Sequence, residues 1–205
     1  MILSDKDILE IQGGDAPLIS PFREDRLRGA SYDVMLDGEI TPMRVNDGVI
    51  DLVDQNAVDA AYSLRSPIDG FVMKPGQYCL AALAETVSLP DDVVAFVEPR
   101  TRYTRMGLLV ARQFCNPSYA GRLQIGLYNA SGNNLKLTSY MSIAQLVFHR
   151  LSSTPSEERL YRMQDSAAYH NEESFIGGRT ETPLSDEERK IYESLVDDLS
   201  NYGFK

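Results

Sequence analysis

Three arginines fall within six residues. Arg100, Arg102 and Arg105 alternate with Thr101 and Thr104. On a helix, Arg100, Thr101, Thr104 and Arg105 share one face, because positions three and four apart are neighbours. Guanidinium forks, hydroxyls and the free N–H groups of a helix start are what a polyphosphate needs. The same run also reads as a solvated basic turn paired with some of the chain's many acids. Other reactive types are sparse. His149 lies in an apolar run and reads as a core or interface residue; His170 lies in a polar stretch and reads as solvated. Cys79 and Cys115 are isolated in apolar contexts and read as two buried thiols rather than a bridge. A zinc deaminase needs a His or Cys with a nearby Glu, followed by Cys-x-x-Cys, and no such set is present, so no zinc is expected. A Gly-Lys-Ser/Thr phosphate loop, a dinucleotide glycine fingerprint and a Gly-x-Ser-x-Gly elbow are also missing.

The chain that must position these residues has 205 of them, enough for one domain with a real core. Apolar residues make up 43% and charged residues 24%, as in a soluble globular protein. The formal net charge is −10, which argues against nucleic acid or an anionic membrane surface as a main partner. A local arginine cluster can still override that sign for a small anion. No apolar run approaches the roughly 20 residues that span a bilayer. The first residues lack the basic-then-apolar pattern of a signal peptide, so a cytoplasmic location is expected.

Ser4 with Asp7 predicts a capped helix over about 5–12, stopped at Gly13-Gly14. From Ala30 to Leu151 short apolar or alternating runs recur. They are Ser31–Leu36, Gly70–Met73, Tyr78–Ala82, Val93–Val97, Leu108–Phe114, Arg122–Tyr128, Asn134–Leu137 and Ser142–Leu151. Turn residues such as Lys74-Pro75-Gly76 and Asn116-Pro117 separate them, which predicts an all-β barrel or jelly roll. Arg100–Met106 before Gly107 reads as a short helix with a glycine stop. Residues 152–184 are polar and irregular. Ser185 with Glu188 forms a capping-box pattern, and Ile191, Tyr192, Leu195, Val196 and Leu199 recur at helical spacing. This predicts an amphipathic helix over 186–200 that docks on the body or on a neighbouring subunit.

The order of motifs resembles the dCTP deaminases. Met1-Ile2-Leu3-Ser4-Asp5-Lys6-Asp7-Ile8 is similar to their opening, and Gly29-Ala30-Ser31-Tyr32-Asp33-Val34-Met35-Leu36 to a strand of theirs. Lys74-Pro75-Gly76-Gln77 and Glu85 through Asp92 resemble their strand pair and turn. Arg100–Arg105 with Met106-Gly107-Leu108 sits where they carry Arg-Ser-Ser-Leu-Ala-Arg-Leu-Gly-Leu. Gly121 through Asn129, and Ile143-Ala144-Gln145-Leu146, resemble two later strands. The resemblance covers roughly residues 1–180 and leaves 181–205 as an added helix and tail. It implies the mainly β, distorted jelly-roll fold shared with trimeric dUTPases, a homotrimer, and nucleotide sites between subunits.

The departures from the pattern concern chemistry. The family's general base, a Glu on the strand after the Gly121 turn, corresponds to Gly126, which has no side chain to move a proton. The alternate position before it is Gln124, which can hydrogen-bond but is no base near neutral pH. The family's Asp ten residues earlier corresponds to Asn116, an amide that can orient a water but not deprotonate one. On the phosphate side Arg100 and Arg105 match, Thr101 keeps a hydroxyl, and Arg102 replaces a small serine. Tyr161 matches the tyrosine that closes over the ligand. The family's phosphate-binding Lys corresponds to Ala168 and its Gln to Glu172. The segment between Gly107 and Asn116 is about two residues shorter than in typical deaminases.

The resemblance therefore implies a nucleotide-binding set of Arg100, Thr101, Arg102, Arg105, Asn116, Gln124, Ile125, Tyr161 and Glu172, with neither catalytic carboxylate in place. Three readings stay open. The chain binds a (deoxy)nucleoside triphosphate with deamination and dUTP hydrolysis strongly impaired, Mg²⁺ arriving with the triphosphate. It sequesters or senses another phosphorylated ligand. Or it is a structural trimer whose pocket has lapsed. Glu98 and Asp33 are the nearest carboxylates by motif that could replace the base.

Overall fold

The computed structural model describes residues 1–44 and 48–201, the side chains of 196–201 excepted. Among the described residues are fourteen strands, four α-helices and three single-turn 3-10 helices. The strands are β1 (Ile19–Ser20), β2 (Leu27–Arg28), β3 (Ser31–Pro42), β4 (Ser66–Pro67), β5 (Val72–Met73), β6 (Tyr78–Leu83) and β7 (Thr86–Ser88), followed by β8 (Val93–Pro99), β9 (Leu108–Val110), β10 (Gln113–Cys115), β11 (Ala120–Gly121), β12 (Gln124–Asn129), β13 (Leu135–Lys136) and β14 (Ser142–Arg150). The α-helices are α1 (Asp5–Gln12), α2 (Gln55–Ala60), α3 (Thr101–Thr104) and α4 (Asp186–Asn201).

The main sheet runs β10-β8-β14-β3-β6-β12-β9, with β2 and β4 also on β3. Two smaller sheets, β1-β7-β11 and β13-β5, complete the shell. All of these pairs are antiparallel. β3 holds the sheet together because it serves two partners along its length. Its first half pairs with β14 and its second with β6, and the register slips between Leu36 and Ile40. Such a slip bends a strand and curls the sheet into a half-barrel. Tyr32, Val34, Leu36 and Ile40 from β3 meet Ile125 and Leu127 from β12 and Leu146 and Phe148 from β14 in one core. The fold is the expected distorted jelly roll.

Helix α1 begins as expected: Ser4 and Asp7 close a reciprocal capping box. The expected strand Leu108–Phe114 is in fact two. β9 pairs with β12, whereas β10 crosses to the opposite end of the sheet and pairs with β8. The chain turns at Ala111-Arg112, where neither a glycine nor a proline marks the corner in the sequence. Helix α2 and the short strands β1, β2, β4, β7 and β11 carry too few residues to register as runs.

At the C-terminus Ser185 and Glu188 close the expected capping box on α4. Docking on the body is not what the structure has: Ile191, Tyr192 and Leu195 are exposed. The side chains of Val196 and Leu199, and residues 202–205, lie outside the described residues. Cys79 and Cys115 are free and buried, and burial pushes both thiols up to about 12. His170 is not solvated as expected. It is half-buried edge-on to Tyr161, with Nδ1 out of reach of solvent. His149 packs edge-on against Phe96. Among the described residues, no helix is long and apolar enough to cross a membrane.

Candidate functional site

The site begins on β12. Strand alternation sends Ile125 and Leu127 into the core, both fully buried, and turns Gln124 and Gly126 to the other face. Ile125, expected among the ligand contacts, therefore belongs to the core. Gln124 looks into a cavity of about 390 Å³, and Asn116, Tyr161 and Glu172 line the same cavity. Four of the expected site residues are thus brought together within one chain.

Two segments far apart in sequence build this cavity. The floor is β12, β6 and the turn after β10. In that turn Tyr119 N–H donates to the Asn116 carbonyl, and Ser118 takes a positive φ of 63°. The roof is the irregular stretch 161–178. It is tied down by Asn171 N–H to the Ala120 carbonyl at 2.7 Å and Arg122 N–H to the Glu172 carbonyl at 2.6 Å. Arg162 N–H donates to Ser118 Oγ, and Gly178 N–H to the Tyr62 hydroxyl. Gly121 sits at φ 144°, and a Cβ there would stand 2.8 Å from the Glu172 nitrogen. The close passage of roof over floor requires a glycine at that point.

At Gly126, where the resemblance expects a general base, another side chain occupies the space. Gly126 pairs with Leu80 across β6, and Tyr78 lies one diagonal step away on the same face. A Cβ built on Gly126 would overlap the Tyr78 hydroxyl and stand 2.9 Å from its Cζ. The tyrosine ring fills the space a longer residue would need. Neither Tyr78 nor the other tyrosines of the cavity, Tyr62, Tyr119 and Tyr169, come out of the sequence reading. The available signal was Gly126 itself, since a glycine inside a strand often marks close approach by another group.

The cavity's polar groups are unevenly satisfied. Gln113 Nε2 donates to the Gln124 carbonyl at 2.7 Å, which leaves Gln113 Oε1 buried without a partner. Tyr119 Oη and Glu172 Oε1 are likewise buried and unpartnered. Glu172 is 4% exposed. Burial raises its pKa from 4.5 to about 7, against smaller lowering contributions from the Ile176 N–H and the Arg179 charge. From the sequence, Glu172 is an acid gained in place of a glutamine, expected to weaken triphosphate binding; the structure buries that carboxyl and moves its pKa to about 7.

The arginine cluster lies elsewhere on the chain. Arg100, the N-cap of α3, donates through Nη1 to Ser142 Oγ at 2.6 Å and stands 3.2 Å from Asp33 Oδ2. Asp33, 3% exposed, also receives Arg28 at 2.8 Å. Arg28, Asp33, Arg100, Thr101, Arg102 and Gln145 line a separate pocket of about 280 Å³. Three guanidiniums against one carboxylate leave that pocket formally at +2. Thr101, Arg102, Thr104 and Arg105 are exposed, and Arg105 lines neither pocket. Helix α3 is shorter than expected, ending at Thr104 with Arg105 as its C-cap, and the turn that follows reaches Gly107 at φ 80°, close against Ser131. The two replacement carboxylates suggested by motif are engaged: Asp33 as above, and Glu98 with Arg112. Neither lines the 390 Å³ cavity. Ala168 is exposed. No group of three or more His, Cys, Asp or Glu suited to a metal ion occurs among the described residues.

Comparison with known proteins agrees with this architecture. The family model described as dCTP deaminase-like matches residues 2–151. A dUMP-forming dCTP deaminase of Hydrogenobaculum sp. (strain Y04AAS1) is 32% identical over 165 residues, 76% of this chain and 86% of that protein. Another, from Beutenbergia cavernae, is 31% identical over 186 residues, 88% of this chain and 95% of that one. In fold, the chain resembles the crystal structure of 2′-deoxycytidine 5′-triphosphate deaminase from Agrobacterium tumefaciens, with a TM-score of 0.59 at 17% identity. That match covers 73% of this chain and spans about half, 48%, of the other. The chain belongs to the dCTP deaminase-like family.

Proposed function

We propose that this protein binds a (deoxy)nucleoside triphosphate at sites between the subunits of a homotrimer, and that standard deamination and dUTP hydrolysis are strongly impaired. The observation that carries this reading is the Tyr78 ring over Gly126. The carboxylate is missing, and the room for one has been filled. A positioned general base contributes on the order of 10²–10⁴ in rate, so its loss leaves trace turnover. Asn116 in place of an acid acts in the same direction.

The intersubunit arrangement is supported by the separation of the two pockets. The tyrosine-walled cavity suits a planar base and a sugar, and its volume lies in the range of small-molecule sites. The cationic pocket at Arg100 and Arg102 suits phosphates, yet the two share no lining residue. A ligand using both would take its base from one chain and its phosphate contacts from another. Any Mg²⁺ would arrive on the triphosphate.

The test is a thermal-shift screen over deoxynucleoside triphosphates with Mg²⁺, with product analysis of every hit. At one hundred times Kd a ligand adds about 2.7 kcal/mol, a readily measured rise in melting temperature. A shift without conversion to a deaminated or dephosphorylated product is expected. Conversion at an ordinary enzymatic rate would overturn the reading. Gly126→Glu with Asn116→Asp is expected to stay inactive while Tyr78 is present. Adding Tyr78→Ala makes room for the new side chain, and only this triple variant is expected to gain turnover.

A further inference from the structure

We propose that the 390 Å³ cavity selects a guanine-type base edge, a ring N–H beside an exocyclic amino group, through Glu172 and Gln113. The inference rests on reading this cavity as the base pocket of a nucleotide site. It starts from two orphaned acceptors. The Gln124 carbonyl can only accept, so the Gln113 amide must turn Nε2 toward it, and Gln113 Oε1 is the atom left over. Glu172 Oε1 is the second, on a carboxyl more than nine-tenths buried, with the Ile176 N–H donating to the group. Buried acceptors without donors are costly, and a ligand that supplies the donors recovers that cost.

The number and order of N–H groups on a base edge then decides. A sugar-linked uracil or thymine has one ring N–H and cannot serve two acceptors. Cytosine and adenine carry an amino group, but the neighbouring ring nitrogen turns a lone pair toward any carboxylate beside it. Guanine has N–H groups at both neighbouring positions, and its edge suits an ionised carboxylate with a second acceptor close by. The Tyr62 and Tyr161 rings that wall the cavity supply flat apolar surface for a planar base. The Tyr119 hydroxyl, also unpartnered, is free to donate to the exocyclic carbonyl oxygen of such a base.

The experiment is calorimetric titration of the full chain at pH 8 with dGTP, dCTP and dUTP, each with Mg²⁺. It is repeated on Glu172→Gln and Gln113→Ala, each first checked at that pH for a melting temperature no lower than that of the unaltered protein. Binding of dGTP at least about tenfold tighter than dCTP or dUTP is expected, with Glu172→Gln removing most of that preference. Gln113→Ala is expected to lower dGTP affinity and spare dUTP. Equal or tighter binding of dCTP or dUTP by the unaltered protein overturns the inference and leaves the nucleotide reading standing. So does a dGTP affinity that neither variant changes. If no nucleotide binds at all, both fall together.

Discussion

At the scale of single residues, Glu172 is a carboxyl held out of water, 4% exposed. Burial raises its pKa from 4.5 to about 7. The folded protein therefore holds the proton more tightly than the unfolded chain. The resulting stability is fully present below pH 4.5 and is lost as the pH rises through about 7. The shift corresponds to about 3 kcal/mol. Tyr119, Tyr161 and Arg179 are the other titratable groups facing it. Thermal melts between pH 4.5 and 8 should show Glu172→Gln gaining on the unaltered protein as pH rises, until it is the more stable of the two. Parallel curves would mean that water reaches the carboxyl freely. The sequence disclosed the chemistry at such positions only by subtraction. Gly126 and Asn116 said what was missing, but the ring that fills the space comes from Tyr78, 48 positions earlier and on another strand. Pairing register placed it there, and no local pattern records register.

At the scale of elements, α3 combines two roles that mutation can separate. Arg100 holds a buried carboxylate as well as facing a pocket, because Asp33 is 3% exposed and depends on Arg28 and Arg100. Arg102 is exposed and makes no ion pair among the described residues. Arg100→Ala should therefore cost stability, about 1–3 kcal/mol for a buried group that loses a partner, and weaken triphosphate binding as well. Arg102→Ala should weaken binding with the melting temperature unchanged. Melting curves paired with titrations decide this, and equal effects of the two variants on stability would refute the division. The paired-turn reading of the arginine run holds for Arg100, which meets Asp33, whereas Arg102 is exposed and makes no ion pair among the described residues. Elements with strong local signals were legible in advance, as with the Ser4–Asp7 box, the apolar run of β6 and the buried alternate positions of β12. The β9–β10 corner was not, because two strands that part company in space are contiguous in sequence.

At the scale of the whole molecule, residues 1–180 and α4 are expected to be separable. The helix shows Ile191, Tyr192 and Leu195 to solvent, so its described side chains contribute little to the folded core. Truncation after Thr180 should leave the melting temperature within about a degree of the full chain. Light scattering on both forms should give a trimer's mass if the helix is not the assembly surface. A truncated chain that melts as usual but runs as a monomer would assign assembly to α4.

The roof of the cavity also governs time. Its polar groups come from a segment tied to the floor by a handful of backbone bonds, with Gly121 at the point of closest passage. For a ligand seated beneath it, opening of those bonds would widen the way out. Dissociation would then follow the lifting of residues 161–178 rather than the strength of any one contact, and a molecule of modest affinity could keep its occupant far longer than its Kd implies.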